Sequence, residues 1–153
     1  MQLTKGQKDA IARKAEAIVN EKRAALQEKY KKEWKPSKEV NVLIKTINKV
    51  NQARLAYIKA VEDAGFEYYY SGVNIPLKSV GLNDAKVNFE HNTSKDVVEN
   101  TLNKIIELQC NQKYNENGGQ KFPILFDIMD DIELLNLSKQ FDMDKFLEKY
   151  RNL

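Results

Sequence analysis

The carboxylates Asp127, Asp130, Asp131 and Glu133 have the type and spacing to do chemistry. Magnesium takes oxygen ligands from a few carboxylates, and on a helix positions 127, 130 and 131 share a face. No glycine-rich turn, histidine or lysine base stands near them in the chain, so they also read as the solubilising outer face of an apolar helix. A third reading is an acidic surface that imitates nucleic-acid phosphates or docks a basic protein.

The second candidate is Lys29-Tyr30-Lys31-Lys32-Glu33-Trp34-Lys35, which mixes cations with two aromatics. Lysines neutralise phosphates and an indole face stacks on bases, so this stretch fits a surface for single-stranded nucleic acid. Lys22, Arg23 and Lys38 extend it along the chain. The alternative is a solvated helix end, its lysines favourable at the C-terminal dipole and Trp34 packed over a hairpin tip. The exposure of Trp34 separates the two.

Other chemistry is thinly supplied. One histidine and one cysteine exclude a zinc site built from those residues within one chain. Any Ser-His or Cys-His pair rests on His91, for which Glu90 or Asp96 would be the orienting carboxylate; the plain alternative is a loop histidine. Cys110, near the end of an amphipathic helix, reads as a small apolar filler. Tyr68, Tyr69 and Tyr70 place rings on both faces of a strand, one for the core and one, with Tyr69, for recognition. No Gly-x-Gly-x-x-Gly, Walker-type lysine or nucleophile elbow is present. No enzyme activity, metal or cofactor is expected.

These groups must be held by something, and the charge pattern suggests what. The net charge of +3 hides a division, because residues 1–60 contain 15 Lys or Arg against 6 Asp or Glu, and residues 61–153 contain 10 against 16. The first part reads as a basic rod and the rest as an acidic body, which suggests a polyanion partner or contact between the two. No apolar run reaches about 18 residues, so no membrane span is expected. The residues after Met1 give no apolar signal segment, and a cytoplasmic setting is expected.

Thr4 with Gln7 has the spacing of a capping box and starts a first helix over residues 5–33. Its stripe of Ile11, Ala15, Ile18, Val19, Leu26 and Tyr30 is narrow and interrupted by Lys22, so it needs a partner face. Pro36 and Ser37 break the chain, and a second helix spans 37–64 and stops at Gly65. Val40, Leu43, Ile47, Val50, Arg54, Tyr57, Val61 and Ala64 form its seam, with Ile44, Leu55 and Ile58 as a second strip. The short link predicts antiparallel neighbours.

From Phe66 the period shortens. Residues 66–70, 73–75 and 86–90 are strand-like and predict a small antiparallel sheet lying on helices. Thr93 with Asp96 caps a third helix over 94–112; residues 111–121 read as a polar, mobile loop. Phe122-Pro123 opens a fourth helix carrying Ile124, Leu125, Ile128, Met129, Ile132 and Leu135, and a fifth begins near Asp142 with Phe146, Leu147 and Tyr150 inward.

The fold class is therefore α+β, mainly α: a long N-terminal antiparallel helical hairpin, a small antiparallel β-sheet and three further helices. A basic hairpin of residues 1–64 and an acidic α+β body of 65–153 form one continuous unit. In its Lys- and Asn-rich composition, small size and lack of catalytic motifs, the chain resembles small accessory proteins of AT-rich bacterial phages and mobile elements. That resemblance implies a non-enzymatic factor, such as an inhibitor of a host defence. Its basic hairpin would engage nucleic acid or a nucleic-acid-handling host or viral complex. The alternative is an assembly or scaffolding protein that forms a homo-oligomer through the hairpin.

Overall fold

The computed structural model describes residues 2–67, 73–89, 96–139 and 141–153. Its elements are α1 (Lys5–Glu33), α2 (Lys38–Asp63), β1 (Val73–Pro76), β2 (Lys86–Phe89), α3 (Val97–Glu116), α4 (Leu125–Leu137) and α5 (Met143–Arg151). This is the α+β, mainly α class expected, with α1 and α2 consecutive across Trp34–Ser37 in the order of a helical hairpin. The strand reading at Tyr68–Tyr70, His91 and the cap at Thr93 fall outside the described residues. The chain forms two compact units, residues 1–32 with 111–153 and residues 33–110.

In the first unit α1 starts at the predicted capping box: Gln7 N–H donates to Thr4 Oγ1 at 3.2 Å and Thr4 N–H to Gln7 Oε1 at 2.9 Å. Its stripe of Ile11, Ala12, Ala15 and Val19 packs with Ile128 and Ile132 of α4 and with Phe146, Leu147 and Tyr150 of α5. The partner face that α1 needs is thus supplied by the two C-terminal helices. Full burial of an Ile or Leu side chain contributes about 1.5–3 kcal/mol, so Ile128 and Ile132 together offset only part of the cost of ordering α4. Asn136 is buried, and its Oδ1 accepts the Leu3 N–H at 2.9 Å, tying the start of the chain to α4. Asp142 caps α5 by accepting from the N–H groups of Asp144 and Lys145.

The expected polar loop at 111–121 is corrected. α3 continues to Glu116, and a 3₁₀ turn over Gly119–Lys121 follows. Polar residues in the last turns of α3 raise no obstacle to helix, and the break comes only where Gly118 takes φ 117°. Gly119 is buried against the Tyr114 ring, which stacks on Phe122 at 6.5 Å between centroids. The helix α4 also starts later than expected. Pro123 lies before it, Ile124 is its N-cap residue, and Asp127 accepts the Ile124 N–H at 3.2 Å.

In the second unit Ser37 caps α2 by accepting from Val40 N–H. The helix ends in a Schellman arrangement: Gly65 N–H donates to the Glu62 carbonyl, Phe66 N–H to the Val61 carbonyl, and Gly65 has φ 78°. β1 pairs antiparallel with β2, Ile75 opposite Val87 and Asn74 opposite Asn88. Ile75 and Val87 face the core made by Val40, Leu77, Val80, Leu82 and Ile105, while Asn74 and Asn88 are exposed. The buried edge of α2 is Val40, Ile47, Asn51 and Ile58, with Leu43 and Ile44 half-buried. The predicted seam is therefore corrected. Val50 and Tyr57 are exposed, because the sheet and α3 meet α2 on the side of Ile44 and Ile58.

A methyl group on Gly119 has no room beside Tyr114. Gly119→Ala is expected to lower stability by about 1–3 kcal/mol, the usual cost of overpacking. A urea midpoint for this variant equal to that of the parent chain would contradict the packing described.

Candidate functional site

The basic stretch divides by role. Arg23 Nη1 donates to Asn20 Oδ1 at 2.8 Å, and its Nη2 donates to the carbonyls of Phe122 and Pro123 at 3.3 and 3.1 Å. Its guanidinium also lies over the Phe122 ring at 5.9 Å. Lys22 Nζ donates to the Leu153 carbonyl at 3.1 Å. Tyr30 is buried, with Lys113 Nζ 5.0 Å above its ring. These three hold the first unit together. Lys29, Lys31 and Lys32, on the last turns of α1, are exposed, and Lys32 has Glu28 at 4.0 Å.

In the second unit Trp34 is half-buried and packs on the core. Its Nε1–H donates to Gln109 Oε1 at 2.8 Å, and Gln109 Nε2 donates to the Val80 carbonyl at 3.0 Å. An indole fixed in this way is a structural anchor. Lys35 and Lys38 are exposed. Tyr69 lies outside the described residues.

The four carboxylates are also put to different uses. Asp127 caps its own helix. Glu133 pairs with Lys8 at 2.9 Å. Asp131 accepts from Lys149 Nζ at 2.8 Å and from the Tyr150 hydroxyl at 2.7 Å. Burial opposes the charge on Asp131, but those two hydrogen bonds and the ammonium charge win and hold its carboxyl below the ordinary value. Burial, then the hydrogen bond to Asp131 and the charges of Asp131 and Asp127, push the Tyr150 hydroxyl up. Asp130 is exposed. Among the described residues no group of three His, Cys, Asp or Glu is placed to hold a metal ion.

Sequence reading missed the outer face of α4. Phe126, Leu134 and Leu137 are 69%, 67% and 70% exposed. They fall at i, i+8 and i+11 around Asp130, so they form one surface stripe opposite Ile128 and Ile132. The signal was present: α4 is apolar on more than one side, which a single buried edge does not require. A second such face lies on α2, where Val42 and Tyr57 are 57% and 63% exposed and Val50 stands between them. Isolated exposed apolar residues are ordinary, but contiguous sets of large ones mark contact surfaces.

The chain matches no protein-family model, no curated protein and no solved structure. No helix among the described residues is long and apolar enough to cross a membrane. A groove of about 430 Å³ in the first unit is lined by Leu3, Ile11, Phe141 and Met143 with Lys14 and Lys139. It brings no carboxylate or imidazole together for proton transfer.

Asp131 and Tyr150 set a pH dependence. The depressed Asp131 contributes stability that is complete above its unfolded value near 4 and is lost as pH falls through the folded value. The raised Tyr150 contributes stability that is present below about 10 and lost as pH rises beyond it. Asp131→Asn is expected to flatten the acid limb of thermal midpoint against pH, and Tyr150→Phe the alkaline limb. Limbs unchanged in both variants would contradict the pairing.

Proposed function

We propose that this chain is a non-enzymatic binding protein whose partner is a protein, engaged by the outer face of α4. The observation that carries this reading is the exposure of Phe126, Leu134 and Leu137 on one helix face. Such a stripe costs solubility unless something covers it. Apolar anchors beside carboxylates have the make-up of an interface centre, where a few large side chains supply most of the affinity. A cytoplasmic setting and a host or viral complex as partner belong to the same proposal.

A second reading, contact with nucleic acid, is favoured by Lys29, Lys31 and Lys32, exposed together at the end of α1. With Tyr30 and Trp34 engaged in packing, it reduces to phosphate contact by lysine. Three lysines release about three counterions, so the log–log salt slope of binding is expected to be no steeper than about −3.

The protein reading is tested with the tagged full chain and the variant Phe126→Glu with Leu137→Glu. The variant is expected to keep the helical circular dichroism of the parent and to lose the proteins that the parent captures from cell extract. Equal capture by both would overturn the role of α4. For the second reading, fluorescence anisotropy with a labelled single-stranded oligonucleotide is expected to show binding at low salt that Lys29→Glu with Lys31→Glu abolishes.

A further inference from the structure

We propose that the partner of the α4 face is the α2 face of a second copy of this chain. This rests on the reading of α4 as a protein-binding surface and names the occupant.

The two faces have the same make-up with opposite charge. On α4, Phe126, Leu134 and Leu137 surround Asp130, with Asp127 on the flank. On α2, Val42, Val50 and Tyr57 are flanked by exposed Lys45 and Lys49. Among the described residues Asp130, Lys45 and Lys49 have no ion-pair partner. Each face thus carries a charge that its own unit leaves uncompensated.

Docking α4 takes Asp130 from water together with Phe126 and Leu134, one turn to either side of it, its other helix neighbours being Asp127 and Glu133. A carboxylate buried in that way is tolerated only when a cation meets it, so Asp130 rejects an apolar or acidic partner and accepts a basic one. Lys49 stands beside Val42, Thr46 and Ala53 at helical spacing, which puts an ammonium at the edge of the α2 stripe. The same charges disfavour symmetric pairings. Two α4 faces would bring Asp130 against Asp130, and two α2 faces would crowd their lysines.

Dimensions agree. At about 1.5 Å per residue, Phe126 to Leu137 spans roughly 17 Å and Val42 to Tyr57 roughly 23 Å, so the shorter face lies within the longer one. Because the two surfaces differ, the contact is made either reciprocally, in a closed pair of copies, or onward into a ring or a chain.

The test uses the full chain in light scattering and sedimentation across protein concentration. The parent is expected to associate into a dimer or a larger assembly as concentration rises. Lys49→Glu and Asp130→Lys, each alone, are expected to raise the dissociation constant at least tenfold. Mixed together, the two variants again bring opposite charges together at both contacts, Asp130 with Lys49 and the two substituted side chains with each other, and are expected to associate as the parent does. The two changes in one chain are expected to restore growth, which separates lost contact from lost folding. A parent chain that stays monomeric throughout, or a mixture that forms no dimer, would overturn the proposal. If the parent is monomeric while the α4 variant still loses a captured protein, the second copy is excluded and the binding reading stands. If capture is also unchanged, both fall.

Discussion

A helix of 29 residues with five buried side chains is not stable in water on its own, and the fold of the first unit answers that constraint. The stripe of α1 is narrow because Ala12 and Ala15 form its middle. Small residues there let α4 and α5 come close, and Ile128, Ile132, Phe146, Leu147 and Tyr150 supply the bulk that α1 lacks. The hydrogen bond from Leu3 to Asn136 and the ion pair between Lys8 and Glu133 bring in residues from the start of the chain, so the unit is closed by its two sequence-distant parts. The alternating residues Tyr150 and Asp131 then tie α5 to α4.

This arrangement changes the meaning of the charge pattern. Along the chain the basic residues come first and the acidic ones later, which invites the picture of a bare cationic rod. In the folded unit, α1 lies with the acidic α4 and with α5, and residues 1–32 with 111–153 hold 15 Lys or Arg against 12 Asp or Glu. Residues 33–110 hold 10 of each. Coulomb terms between partly exposed groups such as Lys8 and Glu133 are individually small. The first unit keeps an excess of three cations, far fewer than the bare count along residues 1–60 suggests.

Local chemistry was legible from the residues. The box at Thr4 and Gln7, the caps at Ser37 and Asp142, the stop at Gly65 and the strands around Ile75 and Val87 all follow from short-range rules that the fold does not override. The seam of α2 was half legible. Val40 and Ile47 were in it, but spacing alone cannot say whether Val50 or Asn51 turns inward, and the position of the sheet decides. The end of α3 was hidden because Asn, Glu and Gly are read as loop, whereas only Gly118 and Gly119 break the helix. Of the candidate site, composition marked the lysines but could not show that Arg23, Tyr30 and Trp34 were committed to packing. The outer face of α4 was passed over because apolar residues are assumed to face inward, and a helix with apolar residues on two sides satisfies only one of them internally.

The fixing of Trp34 has a practical side. It is the one tryptophan of the chain, and its indole is held in residues 33–110 by Gln109. Intrinsic emission from that ring is a local gauge, sensitive to the loosening of the unit built on α2 and the sheet. Backbone ellipticity reports on the helices of both units. Optical unfolding followed by emission and by backbone ellipticity therefore watches different parts of the same polypeptide, and any gap between the two curves measures how far the halves melt as one.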